Sequence, residues 1–171
     1  MLQCGLLGKT LGHSRSPEIH AQLGNYTYRL YEKKEEELEN FLRNGDWDGL
    51  NVTIPYKRAV LPFLAELSPT AREIGSVNTL IRRPDGSLFG DNTDAAGFIG
   101  MVRFSGMEVA GEKTLVLGSG GASCAVCAAL EELGATEADI PEFSMLCYDT
   151  QGNLTKLQAV QDMLLTNLGI H

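Results

Sequence analysis

The 171-residue sequence predicts an α/β fold, in which a mostly parallel sheet is followed by the opening of a second α/β unit. Short apolar runs alternate with amphipathic helical segments, a rhythm that is typical of parallel sheets. Further along, a compact apolar run at residues 113–117 leads into a glycine-rich turn and a helix of small residues. The composition, 43% hydrophobic and 21% charged, is that of a globular chain able to bury a core.

The elements of the first unit follow one another at short intervals. Strands are predicted at residues 2–7, 27–31, 49–53, 77–81 and 87–90. The last two flank Asp85-Gly86, which is a strong hairpin signal. Helices are predicted from Ser16 as N-cap with Pro17 at the first position, and at residues 35–43, 57–67 and 94–106. In the second of these helices Leu38, Phe41 and Leu42 are expected to face inward.

The second unit is predicted to begin after a boundary at residues 106–111. The strand at 113–117, the turn at 118–123 and a helix ending near Gly134 form the opening of a Rossmann unit. The backbone N–H groups of such a turn either meet a pyrophosphate or simply close a tight strand-to-helix connection. Only 37 residues, 135–171, follow Gly134, and they offer one strand at 143–148 and one helix at 155–168, fewer elements than a Rossmann domain needs.

Charge and cysteine usage exclude several classes of function. A formal charge of -8 without a basic stripe argues against nucleic-acid binding. No signal peptide or membrane-spanning run is apparent, so the protein is expected in the cytoplasm without a membrane partner. Four cysteines indicate neither a disulfide scaffold nor a zinc site. Cys124 and Cys127 form a C-x-x-C on a predicted helix, where they are expected to be small buried side chains rather than a redox pair.

Polar side chains cluster where the predicted strands of the first unit end. An α/β sheet collects its ligands at such strand ends. The candidate binding residues are Ser14, Ser16, Thr53, Lys57, Asn78 and Asp94. Each also has an ordinary structural explanation, as a helix cap, a turn residue or a solvated lysine, but the set is harder to explain by packing.

Lys57 is the candidate for chemistry. It follows a strand end through Pro55, and with Asp94 it would make an amine–carboxylate pair inside a cleft. A carbonyl that accepts a hydride becomes an alkoxide and needs a proton, which a positioned lysine can supply.

Five segments together resemble the successive motifs of the shikimate dehydrogenase family. They are residues 12–20 (GHSRSPEIH), 51–57 (NVTIPYK), 75–79 (GSVNT), 92–94 (NTD) and 118–122 (GSGGA). They occur in the family's order and span about residues 2–134. The resemblance implies a substrate-binding domain at residues 1–106 and a partial NADP-binding Rossmann domain at 107–150, with reversible reduction of 3-dehydroshikimate to shikimate by NADPH between them.

The same resemblance implies roles for individual residues. Ser14 and Ser16 would hold the substrate carboxylate, and Thr53, Asn78 and Asp94 would bind ring hydroxyls. Lys57 would be a ligand and the acid–base residue, positioned by Asp94. The cofactor pyrophosphate would lie on Gly118, Ser119, Gly120, Gly121 and Ala122.

The sequence departs from the family after Gly134. Residues 135–139 lack the basic motif that would bind the 2'-phosphate of NADP, so the NADP preference comes from the family alone. In the tail, residues 151–171 resemble a closing helix that returns to the substrate domain with Gln158 as a ligand; alternatively Tyr148 lies near the nicotinamide. An NAD-dependent quinate/shikimate dehydrogenase and a non-catalytic shikimate-binding module remain alternatives. The protein is expected to be a monomer or a homodimer.

Overall fold

The computed structural model describes residues 1–116 and 120–137, and its largest feature is a six-stranded sheet. The strands are β1 (Gln3–Gly8), β2 (Thr27–Glu32), β3 (Gly49–Val52), β4 (Glu66–Leu67), β5 (Thr79–Arg82) and β6 (Leu88–Asp91). They lie in the order β2-β1-β3-β5-β6-β4. Five strands run in one direction and β5 runs against its neighbours, which confirms the predicted mostly parallel sheet.

Six α-helices accompany the sheet in the described part of the chain. They are α1 (Ser16–Leu23), α2 (Leu38–Asn44), α3 (Tyr56–Ala59), α4 (Pro69–Ile74), α5 (Asp94–Ser105) and α6 (Gly121–Glu132). Two short strands pair in parallel as a separate sheet. They are β7 (Lys113–Thr114), which precedes α6 along the chain, and β8 (Thr136–Glu137), which follows it. The strand predicted at 143–148 and the helix at 155–168 lie outside the described residues.

The single helix predicted at residues 57–67 is wrong. Helix α3 ends at Ala59, a 3-10 turn covers Leu61–Phe63, and β4 follows. Pro62 explains the break, because a proline inside a helix removes a backbone hydrogen bond and clashes with the preceding turn. The next helix, α4, was not predicted, although Ser68 caps its start by accepting a hydrogen bond from the Ala71 N–H at 3.0 Å.

The core lies on one face of the sheet. Leu7, Leu50 and Leu80 of three adjacent strands are buried there against Leu38 and Leu42 of α2. Phe41 is only partly buried at the edge of this cluster. The predicted inward face of α2 is therefore confirmed, with its first turn wound as a 3-10 helix at Glu35–Glu37.

A second, smaller cluster attaches α6 to the helices of the first unit. Ala125 and Ala129 of α6 are buried against Ile74 of α4 and Ile99 of α5. Small side chains on α6 allow the helices to approach closely. Because the alanines occupy the inner face, Cys124 is only half-buried and Cys127 is exposed, so the prediction that both cysteines are buried is wrong.

Arg82, at the end of β5, stabilises the connection between α2 and β3. Its guanidinium donates to the carbonyl oxygens of Trp47 at 3.1 Å and Leu42 at 2.9 Å, and stacks 4.1 Å above the Trp47 ring. Arg82→Met is expected to lower the free energy of unfolding by roughly 2–4 kcal/mol, because these backbone carbonyl oxygens lose their hydrogen-bond donor and the Trp47 ring loses its stacking partner. Urea unfolding measures this, with the exposed Arg103→Met on α5 as the control. A loss below about 0.5 kcal/mol, the size of an ordinary surface substitution, would contradict this role.

Candidate active site

Three parallel strands and the hairpin bring the predicted site residues to one edge of the sheet. The strands β1, β3 and β6 end at this edge, and β5 begins there because it runs antiparallel to β3 and β6. The connections after β1 and β3 touch, since the Lys9 N–H donates to the Ile54 carbonyl oxygen at 3.4 Å. Residues that follow β1, β3 and β6, and those that precede β5, are therefore neighbours.

Lys57 and Asp94 form an ion pair at this edge. The Lys57 ammonium donates to Asp94 Oδ2, and the Asn78 amide donates to Asp94 Oδ1 at 2.8 Å. The side chains of Lys57 and Asp94 are 17% and 32% exposed, so the pair is sheltered but reachable. An ammonium group has three donors, so Lys57 can hydrogen-bond a ligand oxygen while it remains paired with Asp94.

Two further hydrogen bonds join the chain segments that carry these three residues. The Val77 N–H donates to the Lys57 carbonyl oxygen at 2.9 Å, and Asn78 Oδ1 accepts from the Thr93 N–H at 3.0 Å. The connection before β5 is thereby attached to α3 on one side and to the start of α5 on the other. These two attachments fix the relative positions of the segments that carry Lys57, Asn78 and Asp94.

The hydroxyls of Ser14 and Ser16 lie side by side before α1. Ser14 Oγ donates to Ser16 Oγ at 3.1 Å and accepts from the Ser16 N–H at 3.2 Å. Ser16 is the first residue of α1 and Arg15 is its N-cap, without a side-chain capping bond, so the expected capping role of Ser16 is wrong. Two adjacent hydroxyls, each with one proton to donate, are suited to bind one anionic group.

Thr53 stands directly after β3, beside the end of β1. Its N–H donates to the Leu7 carbonyl oxygen at 2.9 Å. A Cβ at Gly8 would lie 2.8 Å from Thr53 Cγ2, so the glycine is what allows the threonine to sit there. Its proposed contact with a ligand stays a prediction.

Tyr28 of β2 belongs to the same region, and the sequence reasoning missed it. Its hydroxyl reaches over β1 to donate to Asn51 Oδ1 at 2.7 Å, and its ring stacks on His20 of α1 with 3.7 Å between centroids. Burial raises the pKa of Tyr28 to about 12, while a hydrogen bond with Ser16 acts in the opposite direction. The phenol thus stays protonated and connects α1 with β3. Its only signal in the sequence is its place in an alternating strand.

Because the pKa of Tyr28 is raised, the free energy of unfolding is expected to fall at alkaline pH. An unfolded tyrosine ionises near pH 10, whereas folded Tyr28 ionises near 12. Between these values the unfolded state binds fewer protons, so the stability contribution of the protonated phenol is complete below about pH 10 and is lost as the pH rises to about 12. Urea unfolding at about pH 9 and 11 is expected to show a larger loss for the unchanged protein than for Tyr28→Phe. Equal losses would contradict the assignment.

The start of α6 lies against Lys57 and Ser76. A Cβ at Gly121 would come within 3.2 Å of Lys57 Cβ and 3.3 Å of Ser76 Oγ, so the absence of a side chain permits this approach. Gly120 is extended as N-cap, and no side chain caps the helix within the described residues. The first N–H groups of α6, which include those of Gly121 and Ala122, therefore fit an anionic group such as a pyrophosphate.

Some predicted residues and features fall outside what the structure describes. Gly118, Ser119, Tyr148 and Gln158 lie outside the described residues. In residues 1–116 and 120–137, no group of three or more His, Cys, Asp or Glu side chains is placed to hold a metal ion. No helix in these ranges combines the length and apolarity required to span a bilayer.

The fold and the site define the class of this protein. It is an α/β protein that holds a lysine–carboxylate pair at the carboxyl edge of its sheet, next to a helix, α6, that begins at a glycine. The family model described as the shikimate dehydrogenase substrate binding domain matches residues 6–80. A shikimate dehydrogenase (NADP(+)) from Halothermothrix orenii is 45% identical over 142 residues, which cover 78% of this chain and 49% of the relative. The enzyme of the same name from Clostridium botulinum is 33% identical over 170 residues, covering 92% and 66%.

A comparison with solved structures also finds shikimate dehydrogenases. Shikimate 5-dehydrogenase from Thermus thermophilus, in complex with NADP(H) and shikimate, matches with a TM-score of 0.72 at 40% identity, covering 79% of this chain and 54% of that one. The chain belongs to the shikimate dehydrogenase family. It spans about half to two thirds of the length of these curated relatives.

Proposed function

We propose that this protein binds shikimate at the carboxyl edge of its sheet and takes part in the reversible, NADPH-dependent reduction of 3-dehydroshikimate to shikimate, in the biosynthesis of aromatic amino acids through chorismate. The observation that carries the proposal is the Asp94 carboxylate, which accepts hydrogen bonds from both the Lys57 ammonium and the Asn78 amide. A proton donor is thereby held among groups that can bind hydroxyls. The names of the relatives support the substrate and the cofactor.

The polar groups along the edge match the substrate's two ends. Shikimate carries a carboxylate, which the paired hydroxyls of Ser14 and Ser16 would bind, and ring hydroxyls, which both donate and accept hydrogen bonds. Asp94 can accept from a ring hydroxyl, and Lys57 can donate to one. The Asn78 amide, which donates to Thr93 Oγ1 at 2.9 Å and to Asp94, would donate to a ring hydroxyl in place of Thr93. Thr53, after the neighbouring strand β3, would complete the ring contacts.

Reduction of the ketone needs a hydride at carbon and a proton at oxygen. NADPH, when bound, supplies the hydride. The Lys57 ammonium would donate the proton to the carbonyl oxygen as it becomes a hydroxyl, and in the reverse direction the neutral amine would take that proton back. Asp94 would hold the lysine and one substrate hydroxyl in the required orientation.

The cofactor would meet the start of α6. Gly118 through Ala122 would lie against its pyrophosphate, and the close approach of Gly121 to Lys57 would bring the cofactor to the reacting carbon. We propose NADP rather than NAD because the relatives carry it in their names. Comparing turnover with NADP and NAD, on shikimate and on quinate, tests this choice.

The domain assignment is part of the same proposal. Residues 1–106 would form the substrate-binding domain and 107–150 the partial nucleotide-binding domain, a division supported by the separate sheet that begins with β7. Residues 151–171 would return to the substrate domain with Gln158 as a substrate ligand. The protein would work in the cytoplasm.

Calorimetric titration with shikimate and with NADPH, together with a spectrophotometric assay of NADP reduction, tests the proposed function. Binding of both ligands and turnover of shikimate are expected. Shikimate binding without NADPH binding would indicate the alternative, a binding module without catalysis. If the protein binds no shikimate, the proposed function is wrong.

A further inference from the structure

Two polar side chains of the described residues are buried directly behind the lysine–carboxylate pair. Ser76 is fully buried and Asn92 is 3% exposed. Burying a polar group costs free energy unless its hydrogen bonds are made, so Ser76 and Asn92 need hydrogen-bond partners. Their partners link them to the site.

Both ends of the Asn92 amide are occupied. Its Nδ2 donates to the Ser76 carbonyl oxygen at 3.0 Å and to Ser76 Oγ at 3.2 Å. Its Oδ1 accepts from the backbone N–H of Asp94 at 3.0 Å. Asn92 thus joins the buried serine to the residue that carries the carboxylate.

We propose that Asn92 is a positioning residue, which holds Asp94 in place for Lys57 and uses Ser76 as its anchor. The inference rests on the proposed function, in which Asp94 binds shikimate. Asp94 is the first residue of α5, and the N-cap of this helix, Thr93, makes no side-chain capping bond. The Asn92 side chain therefore fixes the backbone of Asp94, and releasing that N–H frees the carboxylate to turn away from Lys57.

Ser76 makes the anchor firm because it is held from a second side. Its Oγ donates to the Gly121 carbonyl oxygen at 3.4 Å, at the start of α6. The neighbouring Val77 N–H holds the Lys57 backbone. One buried segment thereby carries Lys57, Asp94 through Asn92, and the beginning of α6.

A double-mutant cycle with calorimetric shikimate titration tests the inference. Asn92→Ala is expected to weaken shikimate binding about tenfold, the loss of roughly one buried hydrogen bond to the site. In the Asp94→Ala background the same change is expected to add less than about twofold, because a residue that acts through Asp94 has no effect without it. Asn92→Ser is expected to recover part of the affinity, since a serine hydroxyl can accept from the N–H two residues on. Asn44→Ala on α2 is the control.

The outcomes separate the inference from the function on which it rests. Equal losses from Asn92→Ala with and without Asp94, or unchanged affinity when Asp94 is present, overturn the positioning role alone. Thermal unfolding of each variant identifies general destabilisation, and Asn92→Ser gives a folded variant if Asn92→Ala unfolds. If the protein without any substitution binds no shikimate, the proposed function is wrong, and the inference that rests on it is wrong too.

Discussion

Lys57→Met is expected to lower the rate of shikimate oxidation by about a thousandfold, within the range that general acid–base groups contribute. Methionine keeps much of the length of the side chain but has no proton to exchange. Shikimate binding is expected to weaken far less, because Ser14, Ser16 and Asn78 keep their positions. Initial rates and calorimetric affinities, measured on the same preparations, separate the two effects.

Lys34→Met is the matched control for this substitution. Lys34 is exposed and lies in the connection before α2, on a different part of the chain from the site. Its replacement is expected to leave both rate and affinity unchanged. Near-normal turnover by Lys57→Met would show that another group exchanges the proton, and an equally large loss with Lys34→Met would show that the assay reports general damage.

The double substitution Ser14→Ala with Ser16→Ala is expected to weaken shikimate binding roughly a hundredfold. Each hydroxyl would donate to a carboxylate, and two such bonds are worth at least about 3 kcal/mol together. The loss is expected to depend on the ligand's charge. Shikimate methyl ester, which has no carboxylate, should lose much less affinity than shikimate itself.

Ser105→Ala serves as the control for the serine pair. Its hydroxyl donates to the Val102 carbonyl oxygen at the end of α5, away from the start of α1. This variant is expected to bind both ligands as the unchanged protein does. If the double variant loses affinity for the acid and the ester equally, the two serines do not recognise the carboxylate.

Local patterns made most elements of the fold predictable. The hairpin of β5 and β6 follows from Asp85-Gly86 between apolar runs, and Gly86 takes the positive φ of 84° that such a turn requires. Helix α5 ends before Gly106, which has a φ of 71°. The helix predicted at 57–67 does not form as one element, because Pro62 interrupts its apolar run and is itself a local stop signal.

The candidate site was predictable only in part. That Ser14, Thr53 and Asp94 follow strands of the sheet could be inferred from the order of the apolar runs. Asn78 precedes its strand, and it meets Asp94 because β5 alone runs in the opposite direction. Tyr28 reaches Asn51 over a strand that lies between them, and no local pattern indicates such a contact.

The sequence by itself determined most of the strands and helices and the residue types at the strand ends, because both depend on neighbours within a few positions along the chain. The Lys57–Asp94 pair was expected from the sequence, and only the tertiary structure decided which contacts support it. The pairing of Lys57 with Asp94, the support of Asp94 by Asn92 and Ser76, and the approach of Gly121 all join separate segments. Strand order and the packing of α6 on α4 and α5 create these contacts, and burial of the polar groups then makes their hydrogen bonds obligatory.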